Sequence, residues 1–217
     1  YNIDGVNQVQ INEKTGMDFA NGLRAILRQD PDIIAVGEIR DGETAQISMR
    51  AAITGHVVLS TIHTNDAVGT IERLEDIGVE PYLVAAALRA VISQRLVRRI
   101  CPKCKKSYEA TDEEVSRLGL STEHKHIFYR GEGCADCFNT GYRGRIGVFE
   151  ILEITPEIRS LISCQAGRAV IEKELAGGQC SYKTLQENAI QLVEEGITTC
   201  EEVQRVIYET GDMKTEE

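Results

Sequence analysis

The chain has 217 residues, of which 42% are hydrophobic, and a formal net charge of −10. That length and hydrophobic content suffice for one folded core and a small second domain, which excludes a disordered polypeptide. The acidic balance and the 5% aromatic content exclude free nucleic acid as the main partner, because binding its phosphates needs a dense basic surface.

No stretch of the sequence approaches the roughly 18 to 20 uninterrupted apolar residues of a membrane-spanning helix, and the N-terminus lacks the basic and apolar regions of a signal peptide. We therefore expect a cytoplasmic protein. Basic residues nevertheless concentrate in one part of the chain, which is either a solvated basic edge or a surface for a nucleotide or an acidic partner. These residues are Arg89, Arg95, Arg98, Arg99, Lys103, Lys105 and Lys106.

The first hundred residues alternate short apolar runs with amphipathic patterns, which is typical of βαβ units around a parallel sheet. The alternating run at residues 6–11 predicts a strand. Apolar residues at helical spacing over residues 19–27 predict a helix, which ends before Pro31 because the residue before proline avoids the α region. Residues 33–36 form a continuous apolar run, which predicts a strand buried on both faces.

A crossover helix and a second strand follow. Asp41 is placed to cap a helix over residues 42–54, and Gly55 is placed to end it. Residues 57–62 then form another apolar run. This run predicts a second buried strand beside the first.

Two more helices complete this part of the chain. Asn65 or Asp66 can cap the first of them, and Gly78 ends it. Pro81 then opens an alanine-rich helix that we expect to reach about Arg95, since proline is favoured at the first helical position.

Reactive side chains cluster around the two predicted strands. Glu38 comes directly after the first strand, while His56 stands at the start of the second and His63 beyond its end. Ligands of parallel sheets bind beyond the carboxyl ends of the strands, where a carboxylate can orient or deprotonate a water attacking a γ-phosphate. A histidine there can respond to the loss of phosphate charge. A strand-end glutamate alone is more often a surface or capping group, but its combination with the histidines favours an active site.

The seven cysteines include two C-x-x-C pairs, Cys101 with Cys104 and Cys134 with Cys137, on either side of residues 105–133. Four thiolates from two such turns close a tetrahedral shell, which predicts a structural Zn²⁺ site; iron on the same ligands stays an alternative. Two unrelated pairs of buried or redox-active cysteines are less favoured, because a thioredoxin-like setting is lacking. The other cysteines are assigned to small core or surface positions: Cys164, Cys180 and Cys200.

Several segments carry a resemblance to a known family. Residues 23–41, LRAILRQDPDIIAVGEIRD, resemble the Walker B region of the type II secretion and type IV pilus assembly ATPases. Residues 55–65, GHVVLSTIHTN, are similar to their histidine box. The similarity continues through QRLVRRIC at 94–101 and GYRGR at 141–145, covers essentially the whole chain, and is greatest to the pilus-extending branch with a tetracysteine module.

The resemblance implies an α/β fold with a RecA-like P-loop NTPase core, in which helices flank a parallel sheet. It implies a hexameric ring, peripheral to the inner face of the plasma membrane, that uses ATP and Mg²⁺ and acts on an inner-membrane platform protein of a pilus or secretion system. Glu38 would be the acidic Walker B residue and His56 and His63 the histidine-box pair. Arg95 and Arg98 are implied contributors near the nucleotide or a subunit boundary.

The implied organisation has three parts. Residues 1–100 are the distal half of the RecA-like core, residues 101–145 a tetracysteine zinc-binding subdomain, and residues 146–217 a helical C-terminal subdomain. The chain departs from the family pattern because it lacks the loop G-x-x-x-x-G-K-S/T, which holds the triphosphate and Mg²⁺. We therefore expect the C-terminal part of such an ATPase, inactive by itself.

Two other functions stay open. The chain can instead act as a zinc-stabilised interaction module that docks on an inner-membrane assembly platform. A nucleic-acid-binding zinc protein is the least favoured interpretation, since base stacking needs aromatic side chains within a basic face.

Overall fold

The computed structural model of the chain describes residues 3–177 and 182–208. In the chain so described, each helix is too short or too polar for a bilayer span. The helices are α1 (Phe19–Ile26), α2 (Gly42–Ile53), α3 (Ala67–Asp76), α4 (Pro81–Ala87), α5 (Asp112–Arg117), α6 (Pro156–Ser163), α7 (Arg168–Gly177), α8 (Leu185–Glu194) and α9 (Cys200–Val203). The strands are β1 (Ile33–Val36), β2 (Val57–Ser60), β3 (Ala90–Ile100), β4 (Lys105–Glu109), β5 (Ile127–Gly131) and β6 (Tyr142–Glu153).

Contacts between residues group the chain into two compact units. The first unit contains the described residues within 1–91 and 153–179, and the second contains those within 92–152 and 180–217. The division into three domains made from the sequence stays a prediction. The two units are divided at other positions, near residues 91, 152 and 179.

The first unit contains a two-stranded parallel sheet. β1 pairs with β2 in a register that runs from Ile33 opposite Val57 to Val36 opposite Ser60. This pairing confirms the parallel arrangement that the alternating apolar and amphipathic runs predict. Helices α1 and α2 cover one face of the sheet, and the buried residues between them and the strands are Leu23, Ile34 and Val36.

The predicted helix ends are confirmed at several positions. The carboxylate of Asp41 accepts from the amide of Thr44 (2.8 Å) and caps α2. Asp66, and not Asn65, caps α3 in the same way. Gly55 follows α2 with a φ of 109°, in the left-handed region that glycine adopts without strain.

The expectation of strands buried on both faces is wrong. Ile34 and Val36 are buried under the helices, but Ile33 and Leu59 on the opposite face are 64% and 58% exposed. The reason is that the described helices of this unit pack on one face of the sheet and leave the other open.

Two further predictions from the first hundred residues are wrong. Residues 6–11 form no strand. The helix that begins at Pro81 ends at Ala87, and strand β3 takes the place of its predicted second half. Strand β3 forms because it pairs with β6. Backbone hydrogen bonds join the two segments just beyond the ends of the pair, from the amide of Ile154 to the carbonyl of Arg89 and from the amide of Cys101 to the carbonyl of Gly141.

The second unit surrounds these strands. β4 and β5 form an antiparallel pair, so the segment between the two C-x-x-C pairs is a folded hairpin around α5. β6 extends to Glu153, which adds a strand to the start of the region expected to be helical. The unit's core consists of Val97, Leu118, Phe128, Val148, Leu185, Ala189, Val193, Cys200 and Val203.

Candidate active site and metal centre

The carboxyl ends of β1 and β2 remain joined beyond the last residues of the strands. The hydroxyl of Thr61 donates to the carbonyl of Gly37 (2.8 Å), and the amide of Ile39 donates to the carbonyl of Thr61 (2.9 Å). These bonds hold the backbone on both sides of Glu38. The position of Glu38 relative to β2 is therefore set by two hydrogen bonds between its neighbouring residues and Thr61.

Both carboxylate oxygens of Glu38 have a basic partner. Oε1 lies 2.5 Å from a guanidinium nitrogen of Arg40, and Oε2 lies 3.3 Å from Nε2 of His63. The hydrogen bond from Arg40 lowers the pKa of Glu38, partial burial opposes this effect, and His63 lowers the pKa further. Glu38 is thus ionised at neutral pH, so it can orient a water molecule or hold a hydrated cation.

The two candidate histidines occupy different places. His56 precedes β2 and lies at the opposite end of the sheet from Glu38. Its Nδ1 lies 3.0 Å from the carbonyl of Ala51 and 3.3 Å from the hydroxyl of Thr54, at the end of α2. The structure therefore brings His63 to Glu38 but leaves His56 at the end of α2.

The segment after His63 is tied to the first turn of α3. The hydroxyls of Thr64 and Thr70 lie 2.9 Å apart. Arg168, the first residue of α7, donates to the carboxylate of Asp66 (2.7 Å), 102 residues away in sequence. Sequence reasoning missed Arg168, because no local pattern or spacing connects it with the strand ends.

The candidate arginines lie on β3, in the second unit. Arg98 donates from Nε to Oε2 of Glu202 (2.7 Å), and its guanidinium lies 4.1 Å from the centre of the Tyr142 ring. Glu202 is fully buried and also pairs with Arg205. Arg95 donates to the carbonyl of Gln94. Arg98 is therefore ion-paired with a buried carboxylate, a contact that no local sequence pattern predicts.

The four cysteines of the C-x-x-C pairs converge on one point. Their sulfur atoms all lie within 4.8 Å of one another. Adjacent sulfurs are 3.9 Å apart for Cys101 and Cys134, 3.9 Å for Cys104 and Cys137, and 3.7 Å for Cys134 and Cys137. With Zn–S bonds of about 2.3 Å, the edge of a regular S₄ tetrahedron is about 3.8 Å. The cluster fits a tetrahedral metal ion.

Backbone contacts hold the two cysteine turns together. The amide of Cys101 donates to the carbonyl of Gly141 (2.9 Å), and the amide of Glu132 donates to the carbonyl of Cys104 (3.1 Å). Gly131 lies against Gly141 so closely that a Cβ atom on Gly131 would be 2.1 Å from the Gly141 oxygen. The two glycines thus permit the approach that assembles the cluster.

The sulfurs differ in their readiness to ionise. Burial raises the pKa of Cys104 to about 12. Burial also opposes ionisation of Cys137, but backbone hydrogen bonds from Cys134 and Gly141 outweigh it and lower the pKa of Cys137 to about 6. Outside the cluster, Cys164 is exposed and Cys200 is buried, while Cys180 lies outside the described residues.

Comparison with protein families gives a match over most of the chain. A family model described as "Type II/IV secretion system protein" matches residues 1–205. The type II secretion system ATPase E of Vibrio cholerae is 46% identical over 210 residues, which are 97% of this chain and 41% of that protein. The type IV pilus assembly ATPase PilB of Thermus thermophilus is 49% identical over 205 residues, 94% of this chain and 23% of that protein. The chain thus spans less than half the length of these relatives.

Comparison with solved structures identifies ATPase folds. The pilus retraction motor PilT with bound ADP superimposes with a TM-score of 0.59 at 29% identity, over 87% of this chain and 43% of that one. The Legionella pneumophila ATPase DotB gives a TM-score of 0.55 at 22% identity, over 87% of this chain and 42% of that one, a likeness of fold. The chain therefore has the α/β fold of these ATPases.

Proposed function

The chain belongs to the family of type II/IV secretion system proteins, and on that premise we propose that it is the C-terminal part of an ATPase that powers type II secretion or type IV pilus assembly. In this proposal the full-length protein forms a hexameric ring at the cytoplasmic face of the inner membrane. It acts there on a platform protein of the secretion or pilus system. The names of the relatives, which are ATPases of both systems, support the proposal.

The observation that carries the proposal is the contact between Glu38 and His63 at the carboxyl edge of β1 and β2. An ionised carboxylate at this edge can orient the water that attacks a γ-phosphate, since catalysis of phosphoryl transfer is mainly positioning and electrostatic stabilisation. When the phosphate leaves, the charge near Glu38 changes, and His63 transmits the change to the segment that begins α3. Glu38 is thus the catalytic carboxylate and His63 the group that responds to hydrolysis.

The other proposed site residues have secondary roles. His56 holds the start of β2 against the end of α2. Its proposed role is to stabilise the end of β2 that lies away from Glu38. Arg95 is proposed to lie near the nucleotide or a subunit boundary. Arg98 is engaged with Glu202 through Nε and Nη2, so its contacts favour a structural role.

The chain does not supply the whole nucleotide site. The loop G-x-x-x-x-G-K-S/T is absent from its 217 residues. We propose that the remainder of the full-length protein provides this loop, and with it the amides, lysine and hydroxyl that bind ATP and Mg²⁺. The chain alone is expected to hydrolyse no ATP.

The proposed metal is a structural Zn²⁺ ion held by Cys101, Cys104, Cys134 and Cys137. The sulfur separations of 3.7 to 3.9 Å support a tetrahedral site with four sulfur ligands, which suits Zn²⁺. Four sulfur ligands leave no open coordination position, so the metal holds the cysteine turns together and takes no part in hydrolysis. We propose that the subdomain it stabilises contacts the platform protein.

Steady-state ATP hydrolysis by the full-length protein tests this proposal. We expect Glu38→Gln to lower turnover on the order of 10²-fold or more, with bound zinc and melting temperature unchanged. Glu43→Gln, which removes another exposed carboxylate of the same unit, is the matched control and should leave turnover intact. Full turnover by Glu38→Gln would exclude Glu38 and favour the zinc-stabilised interaction module.

A further inference from the structure

We propose that Arg168 is a positioning residue for the strand-edge site, because it fixes the segment that carries His63 beside Glu38. The inference rests on the proposed ATPase function of the full-length protein. It assigns a role in that function to α7, a helix of the C-terminal region that none of the sequence motifs includes.

Arg168 joins α7 to α3 through its guanidinium group. Nε donates to the carboxylate of Glu172 (2.7 Å), one turn further along α7, and Nη2 donates to Oδ2 of Asp66 (2.7 Å). Nη1 lies 3.7 Å from the carboxylate of Glu72 on α3. The hydrogen bond to Asp66 raises the pKa of Arg168 above its ordinary value, against partial burial. Glu172 therefore anchors Arg168 in its own helix, and Arg168 extends from there to the start of α3.

Asp66 uses both carboxylate oxygens to fix the start of α3. Oδ1 accepts from the amide of Gly69 (2.7 Å), which is the capping bond of the helix, while Oδ2 accepts from Arg168. A Cβ atom on Gly69 would lie 3.1 Å from Oδ1 of Asp66 and 3.6 Å from Nη1 of Arg168. A side chain at position 69 would therefore crowd the Asp66 carboxylate, and the glycine leaves room for the guanidinium to reach Asp66.

The fixed helix start is connected to His63 through two threonines. Thr70, buried in the first turn of α3, donates to the carbonyl of Asp66 (3.4 Å) and lies 2.9 Å from the hydroxyl of Thr64. Thr64 is the neighbour of His63 in the chain. The His63 side chain is 88% exposed, so packing constrains it little, and its place depends on the backbone on either side, which is bonded to Gly37 and Ile39 at Thr61 and to α3 at residues 64–66. Loss of the Arg168 contact therefore loosens the contact between His63 and Glu38.

The test compares kinetic constants of full-length variants. Arg168→Met removes the guanidinium, and we expect kcat to fall about tenfold while KM for ATP changes less than about twofold, because the loss affects positioning for hydrolysis and not nucleotide binding. Arg168→Lys keeps the positive charge but lacks the planar guanidinium that donates to Asp66 and Glu172 together. Its kcat should therefore lie between those of Arg168→Met and the wild type. Asp66→Asn keeps a capping side chain but loses the ion pair, so it should match Arg168→Met. The double variant should be no slower than either single one.

Two further variants serve as controls. Glu172→Gln leaves the bond from Arg168 to Asp66 in place and should lower kcat less than Arg168→Met. Arg117→Met removes a similar pair one helical turn apart, with Glu113 on α5 of the second unit, and should leave kcat unchanged.

The inference is overturned if Arg168→Met and Asp66→Asn both melt like the wild type and keep its kcat. Loss of turnover in Glu38→Gln in the same series would then leave the proposed function intact. If Arg168→Met fails to fold, the folded Asp66→Asn variant decides: a reduced kcat at unchanged KM supports the positioning role, and an unchanged kcat overturns it. A wild-type protein without ATP hydrolysis would overturn both proposals.

Discussion

Nε2 of His63 lies 3.3 Å from Oε2 of Glu38, although 25 positions of sequence separate the two residues. Parallel pairing of β1 with β2 produces this proximity, because both side chains follow the same edge of the sheet. Arg40 occupies the other carboxylate oxygen. The carboxylate of Glu38 thus contacts one residue of the segment that follows β1, Arg40, and one residue of the segment that leads into α3, His63.

The first prediction separates the two histidines. His63→Ala removes a side chain that contacts Glu38, so kcat of the full-length protein should fall about tenfold or more through loss of positioning. His56→Ala leaves this contact intact and should have a smaller effect on kcat, with some loss of stability at the end of α2. Equal kcat losses in the two variants, at equal melting temperatures, would argue against a special role for His63.

The second prediction concerns the metal. We expect one Zn²⁺ per chain, and Cys104→Ser should abolish binding because a tetrahedral site with three ligands loses much of its affinity. Chelation should disorder the cysteine turns, which circular dichroism and proteolysis can follow. Cys164→Ser changes an exposed cysteine outside the cluster and is the matched control. Retention of zinc by Cys104→Ser would contradict the assigned ligand set.

The third prediction is a pH-dependent contribution of Glu202 to stability. Burial by itself raises the pKa of Glu202, but hydrogen bonds from Arg98 and Arg205 outweigh it and lower the pKa below the ordinary value of 4.5. A lowered pKa means that the stabilisation is complete above about pH 4.5 and is lost as the pH falls through the folded-state pKa.

Glu202→Gln should therefore destabilise the chain by about 2 to 3 kcal/mol near neutral pH, since one charge of a buried pair is removed while Arg98 stays partly solvated. The difference from wild type should shrink in acid. Urea unfolding at several pH values measures it, with the exposed neighbour substitution Glu201→Gln as the control. A pH-independent difference would show that the charge of Glu202 is not the cause.

The fourth prediction concerns the glycine contact at the metal centre. Gly131→Ala forces a Cβ atom against the Gly141 carbonyl, so the cysteine turns must separate. We expect weaker zinc binding and a loss of about 1 to 3 kcal/mol in stability, as for overpacked sites. Gly177→Ala, whose Cβ would meet no atom of the described residues within 4 Å, is the control and should leave zinc affinity unchanged. Unchanged zinc affinity in Gly131→Ala would mean that the turns assemble without this contact.

Local signals in the sequence predicted much of the first unit. The caps at Asp41 and Asp66 depend on neighbouring residues alone, and the rule that ligands bind beyond strand ends places Glu38 and His63 at one edge of the sheet. The sequence does not predict strand β3, because it follows directly on the alanine-rich helix α4 and forms by pairing with β6, some fifty residues later.

The partners of buried or partly buried charges were also beyond prediction. Arg168 lies 102 positions from Asp66, and Glu202 lies 104 positions from Arg98. Neither pair has a spacing or motif that marks it, since the tertiary fold alone brings the residues together. The contact between Gly131 and Gly141 was equally unpredictable, because it is made by backbone atoms and no side-chain pattern in the sequence indicates it.

Phosphate release from bound ATP tests the central claim most directly, because it separates nucleotide binding from hydrolysis. In single-turnover measurements on the full-length protein, we predict that Glu38→Gln binds ATP about as tightly as the wild type and releases phosphate on the order of 10²-fold more slowly. Release at the wild-type rate by a Glu38→Gln protein that is folded, zinc-loaded and saturated with ATP would contradict the assignment of Glu38 as the catalytic carboxylate.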